Sequence, residues 1–153
     1  MEQITIRKAE VRDLEEIAAL EARIFTDPWS KTILRISLIN PITLFLVAEE
    51  AEGIAGYIVV QEIAGEANLN NIAVRETARG RGIGSALMTA AIDWAKSTGC
   101  ELVTLEVRIS NLNARRLYER LGFEYLGDRP GYYESPNEDA AIYTLLLNKE
   151  ETE

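Results

Sequence analysis

The hydrophobic period of the chain changes abruptly near residue 75, and that change limits the folds open to it. Residues 43–48, 54–62 and 66–74 are strand-length runs rich in apolar side chains, parted only by Glu52-Gly53 and Ala64-Gly65. Connections that short predict hairpins and an antiparallel meander. From Ile83 onward Leu87, Ala91 and Trp94/Ala95 recur at i, i+4 and i+8, the spacing of a helix that stops at Thr98-Gly99. Between meander and helix lie Arg79, Gly80, Arg81, Gly82 and Gly84.

The flanking segments complete the pattern. Residues 4–7 alternate as a short strand. Asp13 followed by Glu16 reads as a capping-box start for a helix striped by Leu14, Ile17, Ala18 and Leu20 and broken at Asp27-Pro28. Ser30 is placed to cap a second helix, with Trp29 and Leu34 as a staple, and Asn40-Pro41 ends it. Residues 101–107 read as a strand, 111–121 as a helix stopped by Gly122, and 123–127 and 140–147 as closing strands joined by a Pro/Gly-containing loop. The order β-α-α-β-β-β-α-β-α-β-β predicts an α/β fold with a mixed, mostly antiparallel sheet flanked by helices. One domain is expected over residues 1–147, with a polar tail at 148–153.

Composition then removes whole classes of chemistry. The chain has no His, which excludes Ser-His-Asp and Cys-His nucleophiles, His-ligated zinc and a His base. Its one cysteine, Cys100, allows no internal disulfide and no thiolate metal cluster, and reads as a small buried apolar residue. No metal is expected. Against 16 Lys and Arg stand 25 Asp and Glu, a net charge of -9. Such a surface is poorly suited to nucleic-acid phosphates and attracts basic partners. No apolar run approaches the ~18 residues of a membrane span, and Met1-Glu2-Gln3 does not begin a signal peptide. The expectation is a soluble cytoplasmic protein.

The glycine loop is the place for a ligand. A helix N-terminus offers unpaired N–H groups and partial positive charge, and glycines let a ligand approach the backbone. Arg75, Arg79 and Arg81 stand against only Glu76 in this stretch, which favours an anion such as a diphosphate over a merely structural turn. The Gly-Lys-Ser/Thr of a P-loop is absent. Gly80-x-Gly82 with Glu106 about 22 residues past Gly84 mimics dinucleotide spacing, but Ser85 and the preceding meander argue against that fold. Among the remaining acid–base groups, Glu106 at a strand end suits a general base or an ion pair with Arg108 or Arg116. Tyr118 suits a proton donor or a core phenol, and Trp29, Tyr132 and Tyr133 a peptide groove. Beside them the acidic Glu134, Glu138 and Asp139 would favour a basic peptide.

Arg79-x-x-Gly82-x-Gly84 after Ile72-Ala73-Val74 resembles the acetyl-CoA motif of the GCN5-related N-acetyltransferases. Leu105-Glu106-Val107-Arg108, Ser110-Asn111, Leu117-Tyr118-Glu119 and Leu121-Gly122-Phe123 resemble their next motif. With Asp27-Pro28-Trp29-Ser30, Gly131-Tyr132-Tyr133 and Glu138-Asp139-Ala140, the chain is similar to the bacterial RimI group, which acetylates the N-terminal alanine of ribosomal protein S18. The resemblance spans essentially the whole chain. It implies acetyl-CoA as co-substrate, held by Ile72, Ala73, Val74, Arg79, Gly80, Arg81, Gly82, Ile83, Gly84 and Ser85, with Asn111 a further contact. It also implies Glu106 as general base, Tyr118 as general acid and the N-terminus of a basic protein as partner. Trp29, Tyr132 and Tyr133 are the expected substrate contacts.

Overall fold

The computed structural model describes residues 3–147, so the tail at 148–153 lies outside the described residues. The elements follow the order expected: β1 (Thr5–Lys8), α1 (Leu14–Ile24), α2 (Lys31–Ile39), β2 (Thr43–Glu50), β3 (Gly53–Ile63), β4 (Glu66–Val74), α3 (Ile83–Ser97), β5 (Leu102–Arg108), α4 (Leu112–Arg120), β6 (Glu124–Tyr133) and β7 (Glu138–Leu146). Short 3-10 turns at Val11–Asp13 and Glu76–Ala78 join them. The hydrogen-bonded strand order is β1-β2-β3-β4-β5-β7-β6. The β1–β2, β2–β3, β5–β7 and β6–β7 pairs are antiparallel and the β4–β5 pair is parallel. No described helix is long and apolar enough to cross a membrane.

The chain divides into two compact units, Met1–Gln61 with Asn70–Ile92, and Glu62–Leu69 with Asp93–Glu153. In the first, residues 54–60 of β3 are buried without interruption, the mark of a strand covered on both faces. Leu14, Ile17 and Leu20 of α1 and Leu34 of α2 close over Phe45, Val47, Tyr57 and Val59. Ser30 caps α2 as expected, its Oγ accepting from the Ile33 N–H at 3.2 Å. Trp29 packs half-buried on the core cluster that holds Leu34, as a staple would.

The expected cap at Asp13 is not formed. Asp13 faces Arg7 through two bonds of 2.9 Å and accepts the Glu10 N–H at 2.7 Å. The guanidinium holds its carboxyl below the usual aspartate range. Glu16, its supposed box partner, accepts instead from the Ile54 N–H at 2.9 Å. The Asp13 carboxylate thus caps one turn earlier than expected, at the 3-10 turn Val11–Asp13 that follows Glu10, while it also pairs with Arg7.

In the second unit β5 alternates strictly. Val103, Leu105 and Val107 are buried, which turns Thr104, Glu106 and Arg108 to the opposite face. Cys100 is buried, as expected. The closing strand β6 runs to Tyr133, beyond the loop expected from residue 128, and carries Pro130 and Gly131 within it. It ends the strand order. An edge strand tolerates proline, and two register shifts absorb the irregularity.

Candidate active site

The first unit carries the glycine loop. Gly80 and Gly82 both have φ of +81°, a left-handed conformation that side chains resist. A Cβ on either would meet nothing within 4 Å. The loop therefore needs glycine for its backbone and keeps that backbone uncovered. The Ala86 N–H donates to the Gly82 carbonyl at 2.9 Å, so the N–H groups of Ile83, Gly84 and Ser85 precede the first helical bond. With the helix dipole behind them they are placed where an anion would be favoured. Ile83 offers only its backbone, because its side chain is buried in the core. Upstream, Ala73 is buried between half-buried Ile72 and Val74.

The loop arginines divide by role. Arg75 and Arg81 both donate to the Glu50 carboxylate, at 2.7 Å and 2.9 Å. Glu50 precedes them in sequence by 25 and 31 residues. The expected excess of positive charge from three arginines against Glu76 is thus reduced by a carboxylate that only folding brings near. Arg79 donates through Nε to the Val74 carbonyl at 3.0 Å and forms no ion pair among the described residues. Also in this unit, the Trp29 N–H donates at 2.9 Å to Glu21, a buried carboxylate that also accepts from Tyr57 and from Asn71.

The second unit gathers Glu106, Tyr118, Tyr132 and Tyr133. Glu106 pairs with Arg129 at 3.0 Å, not with Arg108 or Arg116. The register explains the reach. Arg108 on β5, Ala140 on β7 and Arg129 on β6 lie in one row, and the small Ala140 lets Arg129 extend toward Glu106. Arg129 also stands 5.3 Å from the Tyr132 ring centre. Arg108 stacks 4.6 Å from the Tyr133 ring and binds Glu138 at 3.1 Å. The two tyrosines meet edge to face at 4.9 Å. Burial pushes the Tyr133 phenol up to about 12, with Tyr132 and Glu106 adding to it. Burial, and then the Glu106 charge, raises Tyr132. Both are strand residues of β6 and not part of a loop.

Tyr118 projects from α4 into a ring cluster, 5.9 Å from Phe123 and 6.2 Å from Tyr143. It is 3% exposed, and burial holds its phenol well above the usual tyrosine range, so it carries its proton at neutral pH. Its hydroxyl makes no hydrogen bond among the described residues, although no buried side-chain polar atom there lacks a partner. The hydroxyl is therefore the part of the residue left accessible. Asn111 caps α4, its Oδ1 accepting from the Ala114 N–H at 3.2 Å. The acidic residues expected to favour a basic peptide are partly engaged, Glu138 by Arg108 and the Ser110 N–H, Asp139 by the Gly131 N–H. Glu50 and Arg129 escaped the sequence reading. The signal for Arg129 was strand register, and neither residue sits in a local motif.

Comparison with known proteins identifies the family. The family model described as the acetyltransferase (GNAT) family matches residues 12–123. A putative [ribosomal protein bS18]-alanine N-acetyltransferase of Bacillus subtilis is 32% identical over 94% of this chain and 96% of its own length. The [ribosomal protein bS18]-alanine N-acetyltransferase of Escherichia coli is 34% identical over 94% of this chain and 98% of its own. The crystal structure of the Escherichia coli ribosomal-protein-S18-alanine N-acetyltransferase superposes with a TM-score of 0.87 at 33% identity, covering 95% of this chain and 94% of that one. The family match takes in the glycine loop, Glu106 and Tyr118 alike, and the chain belongs to the acetyltransferase (GNAT) family.

Proposed function

We propose that this chain moves an acetyl group from acetyl-CoA directly to the N-terminal amine of a protein, with the alanine of ribosomal protein S18 as its substrate. The observation that carries this reading is full-length kinship: relatives named for that reaction match the chain over 94% of its residues. A ribosomal substrate would place the work in the cytoplasm.

The residues present fit the co-substrate. An uncovered loop with two left-handed glycines, opening a helix, suits a diphosphate. The strand at 72–74 supplies main chain for the pantetheine arm, and Asn111 is a further contact. Bound acetyl-CoA supplies an acyl carbon activated as a thioester. The attacking amine must be neutral. An α-amine has a pKa of about 7.7–8.0 against about 10.4 for lysine, a difference of about 3.5 kcal/mol at neutral pH. A carboxylate that accepts the proton directly or through one water is sufficient help for an α-amine. Glu106 takes that role, paired with Arg129 at 3.0 Å. The Tyr118 hydroxyl, protonated and accessible, gives a proton to the departing sulfur. Trp29, Tyr132 and Tyr133 serve as peptide contacts.

Purified protein incubated with acetyl-CoA and an Ala-start peptide of S18 sequence, carrying internal lysines, tests the reading by mass spectrometry. The expected label is on the α-amine. Label on lysine side chains alone would assign the chain to the lysine or small-amine acetyltransferases. Cofactor binding with transfer to no amine would make it a CoA-binding module.

A further inference from the structure

Glu50 is the last residue of β2, and its side chain is 2% exposed. It receives the Arg75 Nη2 at 2.7 Å and the Arg81 Nη2 at 2.9 Å on each carboxylate oxygen. Arg75 is fastened further, to the Ile54 carbonyl at 2.8 Å, to Thr77 at 3.0 Å and through its own N–H to the Ala55 carbonyl at 2.7 Å. One buried carboxylate thus grips the start of the segment between β4 and α3 and, through Arg81, the stretch between its two left-handed glycines. Gly80 and Gly82 have no side chains with which to hold their conformation, and such residues lose the most freedom on ordering. Arg81 is the only side chain between them. Its anchor ties the backbone between the two glycines to the end of β2.

We propose that Glu50 is a positioning residue for the diphosphate of the co-substrate, acting through Arg81 to pre-form the glycine loop. The proposal rests on the reading of that loop as the diphosphate site. It assigns Arg81 to the loop's own architecture rather than to a direct phosphate contact. Pre-forming a binding loop strengthens affinity by removing an ordering cost from the binding step.

The test measures CoA affinity by calorimetry and steady-state kinetics on Glu50→Gln, with thermal unfolding recorded alongside. The expected result is a dissociation constant for CoA and a KM for acetyl-CoA about ten-fold higher, about 1.4 kcal/mol. The peptide KM and kcat at saturating acetyl-CoA stay unchanged. Adding Arg81→Met to Glu50→Gln should cost nothing more, since both remove one clip. Additive losses, or CoA affinity equal to or tighter than wild type in a folded Glu50→Gln protein, would overturn the proposal. If Glu50→Gln does not fold, Arg81→Met alone, which keeps the Arg75–Glu50 pair, should reproduce the ten-fold loss, and unchanged affinity would overturn it. Gly84→Asp separates the underlying reading. An aspartate in a first helical turn favours the helix while repelling a bound anion. CoA binding by Gly84→Asp at wild-type strength would defeat the loop reading itself, whereas loss there with none in Glu50→Gln would defeat only the role of Glu50.

Discussion

Glu106 and Tyr118 stand in opposite surroundings, and the contrast predicts opposite side effects of removing them. Glu106 is 26% exposed beside an exposed arginine. Glu106→Gln keeps an oxygen for Arg129 but cannot take a proton. Turnover on an Ala-start peptide should fall about 100-fold, the low end for a general base, with CoA affinity by calorimetry unchanged. A selective loss of CoA affinity with normal turnover would move Glu106 from chemistry to binding. Tyr118→Phe removes a hydroxyl with no partner among the described residues and leaves the ring packing against Phe123 and Tyr143. No buried group is orphaned, so the unfolding midpoint should hold within about 1–2 °C while kcat drops. Unchanged kcat at an unchanged midpoint would return Tyr118 to the core.

At the scale of elements, Gly56 of β3 lies hard against β4. A Cβ there would stand 2.6 Å from the Ala73 carbonyl oxygen, a backbone atom that a side-chain rotation cannot move. Gly56→Ala should therefore displace the strand at 72–74. The expected outcome is a raised KM for acetyl-CoA, with thermal stability lower by about 1–3 kcal/mol for overpacking; an unaltered KM would show that 72–74 does not set cofactor geometry. The order of the elements was legible because each announces itself locally, by a period of two or of 3.6 and by a terminator such as Asn40-Pro41 or Gly122. What escaped was decided by distant partners. Asp13 pairs with Arg7 and caps one turn earlier than expected, two of three loop arginines went to Glu50, and Pro130-Gly131 read as part of a loop although an edge strand accommodates them. The glycine loop, Glu106 and Tyr118 were legible as candidates; the Arg129 partner of Glu106 was not, because strand register is not written in local sequence.

For the molecule as a whole, charge is the property that composition fixes and folding does not change. A net charge of -9 sets up an attractive field for a cationic peptide and a repulsive one for an anionic co-substrate. The two substrates should then respond to salt with opposite signs. Between ~0.01 M and ~0.15 M ionic strength the screening length falls from about 30 Å to about 8 Å, which removes long-range steering and leaves contacts in place. The KM for an Ala-start peptide bearing several lysines and arginines should rise several-fold over that range, while that of an uncharged Ala-start peptide stays level. The KM for acetyl-CoA should fall, because the contacts proposed for its phosphates at residues 79–85 are short-range and only the repulsive surrounding field is screened. Steady-state titrations at four salt concentrations decide it. Parallel salt responses for the cationic and the uncharged peptide would mean that the acidic surface plays no part in choosing the substrate.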